Sequence, residues 1–401
     1  MINITDKKKC VGCGACYSIC PKNCISMRED EEGFLYPLVD IDNCIECDAC
    51  EKVCPVINPI KEAPFEQKAF LFQHRNQDVL RQSTSGGLFS AIAEIVLAKG
   101  GVVFGAAYDE KLVVNHTKIT TQEDIHRFRN SKYSQSVIGD CFIDTRNLLK
   151  QGRIVCFSGT PCQLEGLTKF LKEDYPNLIK IDIVCHACPS PLVFRKYIEY
   201  QKNKYGENIS NIIFRDKTYG YNYSTMSLYR ENIRVYSEGI DTDVMLRAFF
   251  NNICVRPSCY SCPSKKRYRK VDITIWDCFL VDKFCKKMDN DKGVTRALVH
   301  TEKGYGLFEA IEKFGETIEI DVNDAIRGVK ELTESVPENS KRDLFFKDIN
   351  TLNVQDCFDK YYPLTIRHII EKRIRVMMYK IGVYQSIKKI YKKIFRGNIK
   401  R

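Results

Sequence analysis

The chain has 401 residues, 44% apolar and 28% charged, room for roughly two or three globular domains with a sizeable core. Its net charge of +11 sits at one end: twelve of the 62 Lys and Arg and one of the 51 Asp and Glu lie in 363–401, so residues 1–362 carry 50 of each. A neutral body argues against nucleic acid as a partner, and no run of about 18 apolar residues offers a membrane span. Twenty cysteines, with no apolar leader at Met1–Lys7, point to metal in a cytoplasmic protein rather than disulfides in a secreted one.

The first segment, 1–58, holds nine cysteines and an internal repeat: Cys10-Val-Gly-Cys-Gly-Ala-Cys-Tyr-Ser-Ile-Cys-Pro21, then Cys44-Ile-Glu-Cys-Asp-Ala-Cys-Glu-Lys-Val-Cys-Pro55. The spacing C-x2-C-x2-C-x3-C-P, twice, is that of thiolates wrapping two 4Fe-4S clusters. Three closely spaced ligands wrap one cluster, and the cysteine before proline crosses to the other. This assigns Cys10, Cys13, Cys16 and Cys54 to one cluster and Cys44, Cys47, Cys50 and Cys20 to the second. Gly12 and Gly14 let the backbone bend so that amides reach cluster sulfurs. A pair of zinc sites would ask for wider separations and gives no reason for the Cys-Pro repeat. Cys24 falls outside the pattern and reads as a packed thiol. Between the runs, Cys24–Met27 and Phe34–Val39 read as short strands. The two runs resemble the bacterial-type two-cluster ferredoxin domain.

Residues 59–68, with two prolines and several charges, read as a linker. Beyond it come a helix at Leu88–Lys99, a strand at Gly101–Ala107, a helix at Cys141–Lys150 and a strand at Ile154–Ser158. A helix at Gln163–Lys172, a strand at Ile179–Cys185 and a helix at Leu192–Tyr205 follow. This alternation predicts an α/β layer. Ile209–Tyr236 reads as strand-rich, Asp243–Asn251 as helix, and 321–362 as an irregular extension. The predicted class is α+β: a small two-cluster ferredoxin domain, a mixed α/β domain at 69–320 in two parts (69–150 and 151–320), and a basic helical tail at 363–401.

Cysteines recur at turns of the body: Thr160-Pro-Cys162-Gln, Val184-Cys185-His and Cys259-Tyr-Ser-Cys262-Pro. Strands 154–158 and 179–185 lying side by side would bring two of these together. Spacing alone admits both a convergent metal site and buried thiols acting as small hydrophobes.

Several motifs in order are more specific. They are Ser85-Gly-Gly87, Gly100-Gly-Val-Val-Phe-Gly-Ala-Ala107, Ser131-Lys-Tyr133, Phe157-Ser-Gly-Thr-Pro-Cys-Gln163, Val184-Cys-His186 with Pro189-Ser-Pro191, Arg256-Pro-Ser-Cys-Tyr-Ser-Cys-Pro263 and Asp272-Ile-Thr-Ile275. Together, over about 69–320, they resemble the coenzyme F420 hydrogenase/dehydrogenase beta-subunit family. The resemblance implies FAD and a third 4Fe-4S cluster, its ligands at Cys162, Cys185, Cys259 and Cys262. It leaves the use of coenzyme F420 itself open. Bacterial members of this kind often accompany polysaccharide biosynthesis. The sequence departs from the family at Trp276-Asp277-Cys278-Phe279, where Gly-Asp-Phe-Trp is usual, and Cys188 is unusual at its place.

Ser83-Thr-Ser-Gly-Gly87 precedes a helix, whose free amides suit a phosphate or serve as a plain cap. With the resemblance, Ser85, Gly86, Gly87, Ser131, Lys132, Tyr133, Ser158, Gly159, Thr160 and Gln163 are expected to hold the flavin. Lys132 and His186 are the candidates for catalysis. The expected function is an iron–sulfur flavoprotein oxidoreductase exchanging electrons between a hydride carrier and a one-electron partner. The alternative is an electron-carrier or adaptor subunit with no substrate of its own. In the tail, Ile366, Ile370, Ile374, Met377, Met378 and Ile381, then Ile387, Ile390, Tyr391 and Ile394, recur at helical spacing among Lys and Arg. This suits either a peripheral membrane contact or docking on a protein surface.

Overall fold

The structure, a computed structural model, describes residues 1–384, 386 and 387. In the N-terminal segment, β1 (Ile25–Glu29) and β2 (Leu35–Val39) form an antiparallel hairpin. Each cysteine run turns into a short helix, Ala15–Ile19 and Ala49–Lys52. The repeat is conformational as well as chemical. Gly12 and Gly14 take φ of 68° and 76°, and their counterparts Glu46 and Asp48 take 50° and 57°. The second run thus adopts the same left-handed bends without glycine, at about 1 kcal/mol or more for each.

The body is one eight-stranded sheet with a small antiparallel sheet beside it. In chain order its strands are β3 (Lys68–His74), β4 (Val102–Tyr108), β5 (Val114–Ile119), β6 (Val155–Gly159) and β7 (Leu178–Ile183). Next come β8 (Asn211–Asp216), β9 (Thr225–Arg230) and β10 (Ile233–Glu238), which form the small sheet, then β11 (Ile273–Asp277), β12 (Thr295–Val299) and β13 (Gly315–Ile320). The large sheet runs β13-β3-β12-β11-β7-β6-β4-β5. Its centre, β11-β7-β6-β4, is parallel and its flanks antiparallel.

Strand residues alternate between two cores, as a sheet covered on both faces requires. Val103, Cys156, Ile179 and Ile181 pack with the helix Leu88–Ala98. Val102, Phe104, Val155 and Phe157 pack on the other face with Phe142, Leu164 and Leu167. Val11 and Cys13 belong to that second core, and Phe34 is fully buried in a third, among Phe194, Phe214 and Phe346. The N-terminal segment is therefore built into the body. Glu32 at the hairpin tip pairs with the largely buried Arg342 at 2.5 Å.

The expected strands and helices of 88–251 appear within a few residues of their predicted limits. The segment 321–362 is not irregular. It forms the helices Val322–Ile326, Arg342–Thr351 and Val354–Tyr361, and Phe345, Ile349 and Phe358 fill the third core. Their apolar spacing is helical, but each helix is only a few turns long, so its periodicity is faint in sequence. The tail forms the helix Ile366–Lys380, ending before Gly382 at φ 75°. Ile390, Tyr391 and Ile394 lie outside the described residues. Among the described residues, no helix is long and apolar enough to cross a membrane.

Candidate functional site

The two cysteine runs bring their thiols into two neighbouring groups. Cys13 and Cys16 each feel the charges of Cys10 and Cys54. Burial pushes the Cys13 thiol up and that of Cys16 to about 12; iron would reverse this by binding the thiolate. Cys20, Cys44, Cys47 and Cys50 line a small cavity of their own, and the Ile2 amide donates to Cys50 Sγ at 3.3 Å. Cys24 is buried, as a packed thiol would be, yet it lines the same cavity, its sulfur 3.3 Å from that of Cys20. Among the described residues no group of three or more His, Cys, Asp or Glu is arranged to hold a single metal ion. A cubane takes its thiolates at four separate iron corners, a wider arrangement than one ion needs.

In the body, β6, β7 and β11 run parallel and end together, so the loops after them emerge at one edge, where α/β sheets bind ligands. Cys162 opens the helix Pro161–Leu171, whose first turn is fixed by a capping box between Thr160 and Gln163. Thr160 Oγ1 lies 3.2 Å from Cys162 Sγ. Cys185 lies two residues beyond β7. Cys259 sits in the 3-10 turn Pro257–Ser261 and Cys262 caps it. The thiol of Cys262 feels those of Cys162, Cys259 and Cys185, so these four stand together.

A fifth thiol stands among them. Cys188 faces Cys162, Cys185 and Cys259, and its amide donates to Cys259 Sγ at 3.3 Å. The sequence carried a signal for it: Cys185-His-Ala-Cys188 is a C-x2-C pair, like Cys259-Tyr-Ser-Cys262.

The N-terminal and body thiols meet across a close contact. A Cβ on Gly166, in the helix that Cys162 opens, would fall 2.7 Å from Cys13 Cβ and 2.8 Å from its sulfur. Arg256, 1% exposed, donates from Nε to the Cys10 carbonyl at 2.7 Å.

Beside the body thiols lies a cavity of about 810 Å3. Of the residues expected at a flavin, Ser85, Gly87, Ser131, Lys132, Tyr133, Ser158, Gly159, Thr160 and Gln163 line it, as does the catalytic candidate His186. Gly86 does not. Its amide donates to Thr295 Oγ1 at 2.9 Å, and a Cβ there would strike the Phe72 carbonyl at 2.1 Å, so this glycine serves strand–helix packing. Gly87, at φ 82°, starts the eleven-residue helix. Lys132 donates to the carbonyls of Arg129 and Asn130 at 3.0 and 3.3 Å, and burial pushes its pKa down to about 7. His186 is held by Asn252 Oδ1 at 2.8 Å, with Glu331 3.9 Å from its other nitrogen.

Sequence reasoning passed over three more features of this wall. His116 reaches the Ser158 carbonyl and Ser136 Oγ at 2.9 and 2.8 Å, and burial lowers its pKa to about 4, leaving it neutral. Arg215 pairs with Asp277 at 3.2 Å, and Tyr221 donates to the same carboxylate at 2.9 Å. Phe279 stacks on Tyr221 with centroids 5.2 Å apart. The departure at 276–279 thus builds a charged and aromatic wall. Behind it, Trp276 Nε1 and Arg296 Nε are buried without partners, and both residues line the cavity. Cationic and aromatic side chains suit an anionic ligand with a flat ring system.

Comparison with known proteins matches two parts of the chain. Residues 9–58 match the model of the 4Fe-4S dicluster domain. Residues 152–324 match that of the C-terminal part of the coenzyme F420 hydrogenase/dehydrogenase beta subunit. An uncharacterized ferredoxin of Methanocaldococcus jannaschii is 48% identical over 33 residues, 8% of this chain and 43% of the ferredoxin. The chain thus spans less than half the length of that relative. A chain of the F420-reducing NiFe hydrogenase complex from Methanosarcina barkeri aligns with 75% of this chain and 92% of its own, at 16% identity and a TM-score of 0.45. The two family matches support an iron–sulfur electron-transfer function of the oxidoreductase kind.

Proposed function

We propose that this protein is a flavin-dependent iron–sulfur oxidoreductase. It passes electrons between a hydride carrier at the cavity and a one-electron partner at the N-terminal segment, through a body cluster and the two N-terminal clusters. The observation that carries the reading is a shared wall: residues 185–188 border the cavity on one side and belong to the body thiol set on the other. The use of coenzyme F420 as carrier, and a place beside polysaccharide biosynthesis, rest on the motif resemblance alone.

FAD bound in the cavity would supply the exchange between a two-electron hydride and single electrons. The start of the helix Leu88–Ala98 offers free amides for its diphosphate, and Lys132 and Arg215 add positive charge. Thr160 and Gln163 orient the loop that places Cys162. His186, fixed between Asn252 and Glu331, is placed to hold or move a proton at the cavity edge. Cys162, Cys185, Cys259 and Cys262 would hold the body cluster. Cys47 is exposed, with Ile41, Ile45 and Ile57 exposed in the same segment, so a redox partner would meet the second N-terminal cluster there.

The tail favours a lipid surface as its contact. Lys372 pairs with Glu238, and Arg375 with Asp241 at 3.5 Å, so one side of the helix Ile366–Lys380 is held to the body. Ile366, Ile370, Ile374 and Met377 remain 76, 50, 45 and 56% exposed.

The oxidoreductase reading is tested by adding reduced carriers anaerobically to the reconstituted protein. Bleaching of a bound flavin, followed by reduction of the cluster absorbance, is expected with one class of hydride carrier. A protein that binds no flavin, or whose flavin no hydride carrier bleaches, would leave only a carrier or adaptor role.

A further inference from the structure

The body site contains one thiol more than a cubane takes. We infer that Cys188 is an alternative ligand of the cluster proposed there, able to take the place of Cys185 at the fourth iron. The inference rests on the reading of that site as a 4Fe-4S centre.

The geometry singles out this pair. Cys185 and Cys188 occupy one short loop after β7, with the C-x2-C spacing that turns two sulfurs toward one metal centre. Both ends of the loop are pinned. The Cys185 carbonyl accepts from Lys265 Nζ. The Cys188 carbonyl accepts from the Arg256 amide at 2.9 Å, and Pro189 forms a bridge with Val255. Cys188 is 7% exposed and its amide is spent on Cys259 Sγ, so its thiol faces the site rather than solvent. The other three thiols have distinct anchors. Cys162 stands on a capped helix start, and Cys259 and Cys262 share the turn after Arg256. A change of ligand therefore requires adjustment only within residues 185–188.

The exchange balances without an oxidant. An Fe–S bond to Cys188 would form as that to Cys185 broke, and the Cys188 proton would pass to the departing Cys185 sulfur. A buried apolar thiol at this position would explain the packing, but not why its sulfur faces three others.

The test counts iron in the full chain, reconstituted anaerobically, as wild type, Cys185→Ser, Cys188→Ser and the double variant. The expected contents are about twelve, twelve, twelve and eight iron atoms per chain, a loss of about one third only in the double variant. Electron paramagnetic resonance of the N-terminal pair and the melting temperature report whether each variant is folded. If Cys185→Ser fails to fold, Cys185→Ala is read in the same way. About eight iron atoms in either single variant, or about twelve in the double, overturns the inference and leaves the third cluster standing. About eight in the wild type overturns the third cluster itself, and the inference with it.

Discussion

Arg256 and Cys10 are joined twice across the boundary between the N-terminal segment and the body. The guanidinium Nε donates to the Cys10 carbonyl at 2.7 Å, and a terminal nitrogen stands 3.5 Å from Cys10 Sγ. The remaining donors go to the Leu35 carbonyl at 3.0 Å and Gln135 Oε1 at 2.9 Å, and the cation lies 4.3 Å from the centre of the Tyr36 ring. From its other side Arg256 feels Cys259 and Cys188. A buried cation between two thiol sets stabilises added negative charge on either.

Replacing Arg256 by Met should therefore lower the reduction potential of the first N-terminal cluster. The expected fall is about 60 mV, equivalent to about tenfold in a one-electron equilibrium. A redox titration followed by electron paramagnetic resonance reads it. Lys at this position keeps the charge but loses the fork that serves four acceptors, so it should restore the potential only in part. An unchanged potential in the Met variant would remove Arg256 from the electron path.

Gly166→Ala tests the contact between the same two parts. Its new methyl would meet Cys13 at 2.7 Å on one of the protein's close-packed faces. The cost should be about 1–3 kcal/mol, with iron lost from the first cluster before the others. Gly306→Ala, in another helix with nothing within 4 Å of its Cβ, is the control and should stabilise by up to about 1 kcal/mol. Equal melting temperatures and iron contents in the two variants would contradict the close packing.

Lys132 should give the proposed flavin site a pH dependence. Burial lowers its folded pKa to about 7 from 10.5, so below about pH 7 the ammonium is charged and favours an anionic ligand. Flavin affinity measured by fluorescence quenching should weaken as pH rises above 7. Lys132→Arg should flatten the profile. The sign for stability is opposite: between about 7 and 10.5 the unfolded chain binds the proton more readily, so this group's contribution to stability rises with pH. A flat wild-type binding profile would exclude Lys132 from the site.

The exposed stripe of the tail predicts binding to vesicles containing anionic phospholipid, and none to purely zwitterionic ones. Ile370→Asp with Ile374→Asp should abolish sedimentation with the vesicles while leaving the iron content unchanged. Binding that survives both substitutions would assign the stripe another role.

Much of this site was legible because its signals are local. Two runs of C-x2-C-x2-C-x3-C-P mark out their own thiol groups, and the unbroken apolar runs Gly101–Ala107 and Ile154–Ser158 read as buried strands. The α/β order allowed β6 to lie beside β7, and their parallel pairing gathers Cys162 and Cys185. What stayed hidden depends on distance in the fold. Gly86 reads as part of a phosphate loop, yet the Phe72 carbonyl lies against its back. Cys188 looked like an oddity until Cys259 was beside it. His116 comes from β5 and Arg215 and Tyr221 from the end of β8 and the loop after it, and no spacing announces that they share a wall. The short helices of 342–361 bury a few aromatic residues each and need the rest of the core to declare their inner face.

Whether a flavin is backed by three clusters is read from the cofactor stoichiometry of the anaerobically reconstituted 401-residue chain. The expected contents are about twelve iron atoms, as many sulfides and one FAD per chain. About eight iron atoms with no flavin would contradict it, leaving the N-terminal clusters without the redox centre proposed behind them.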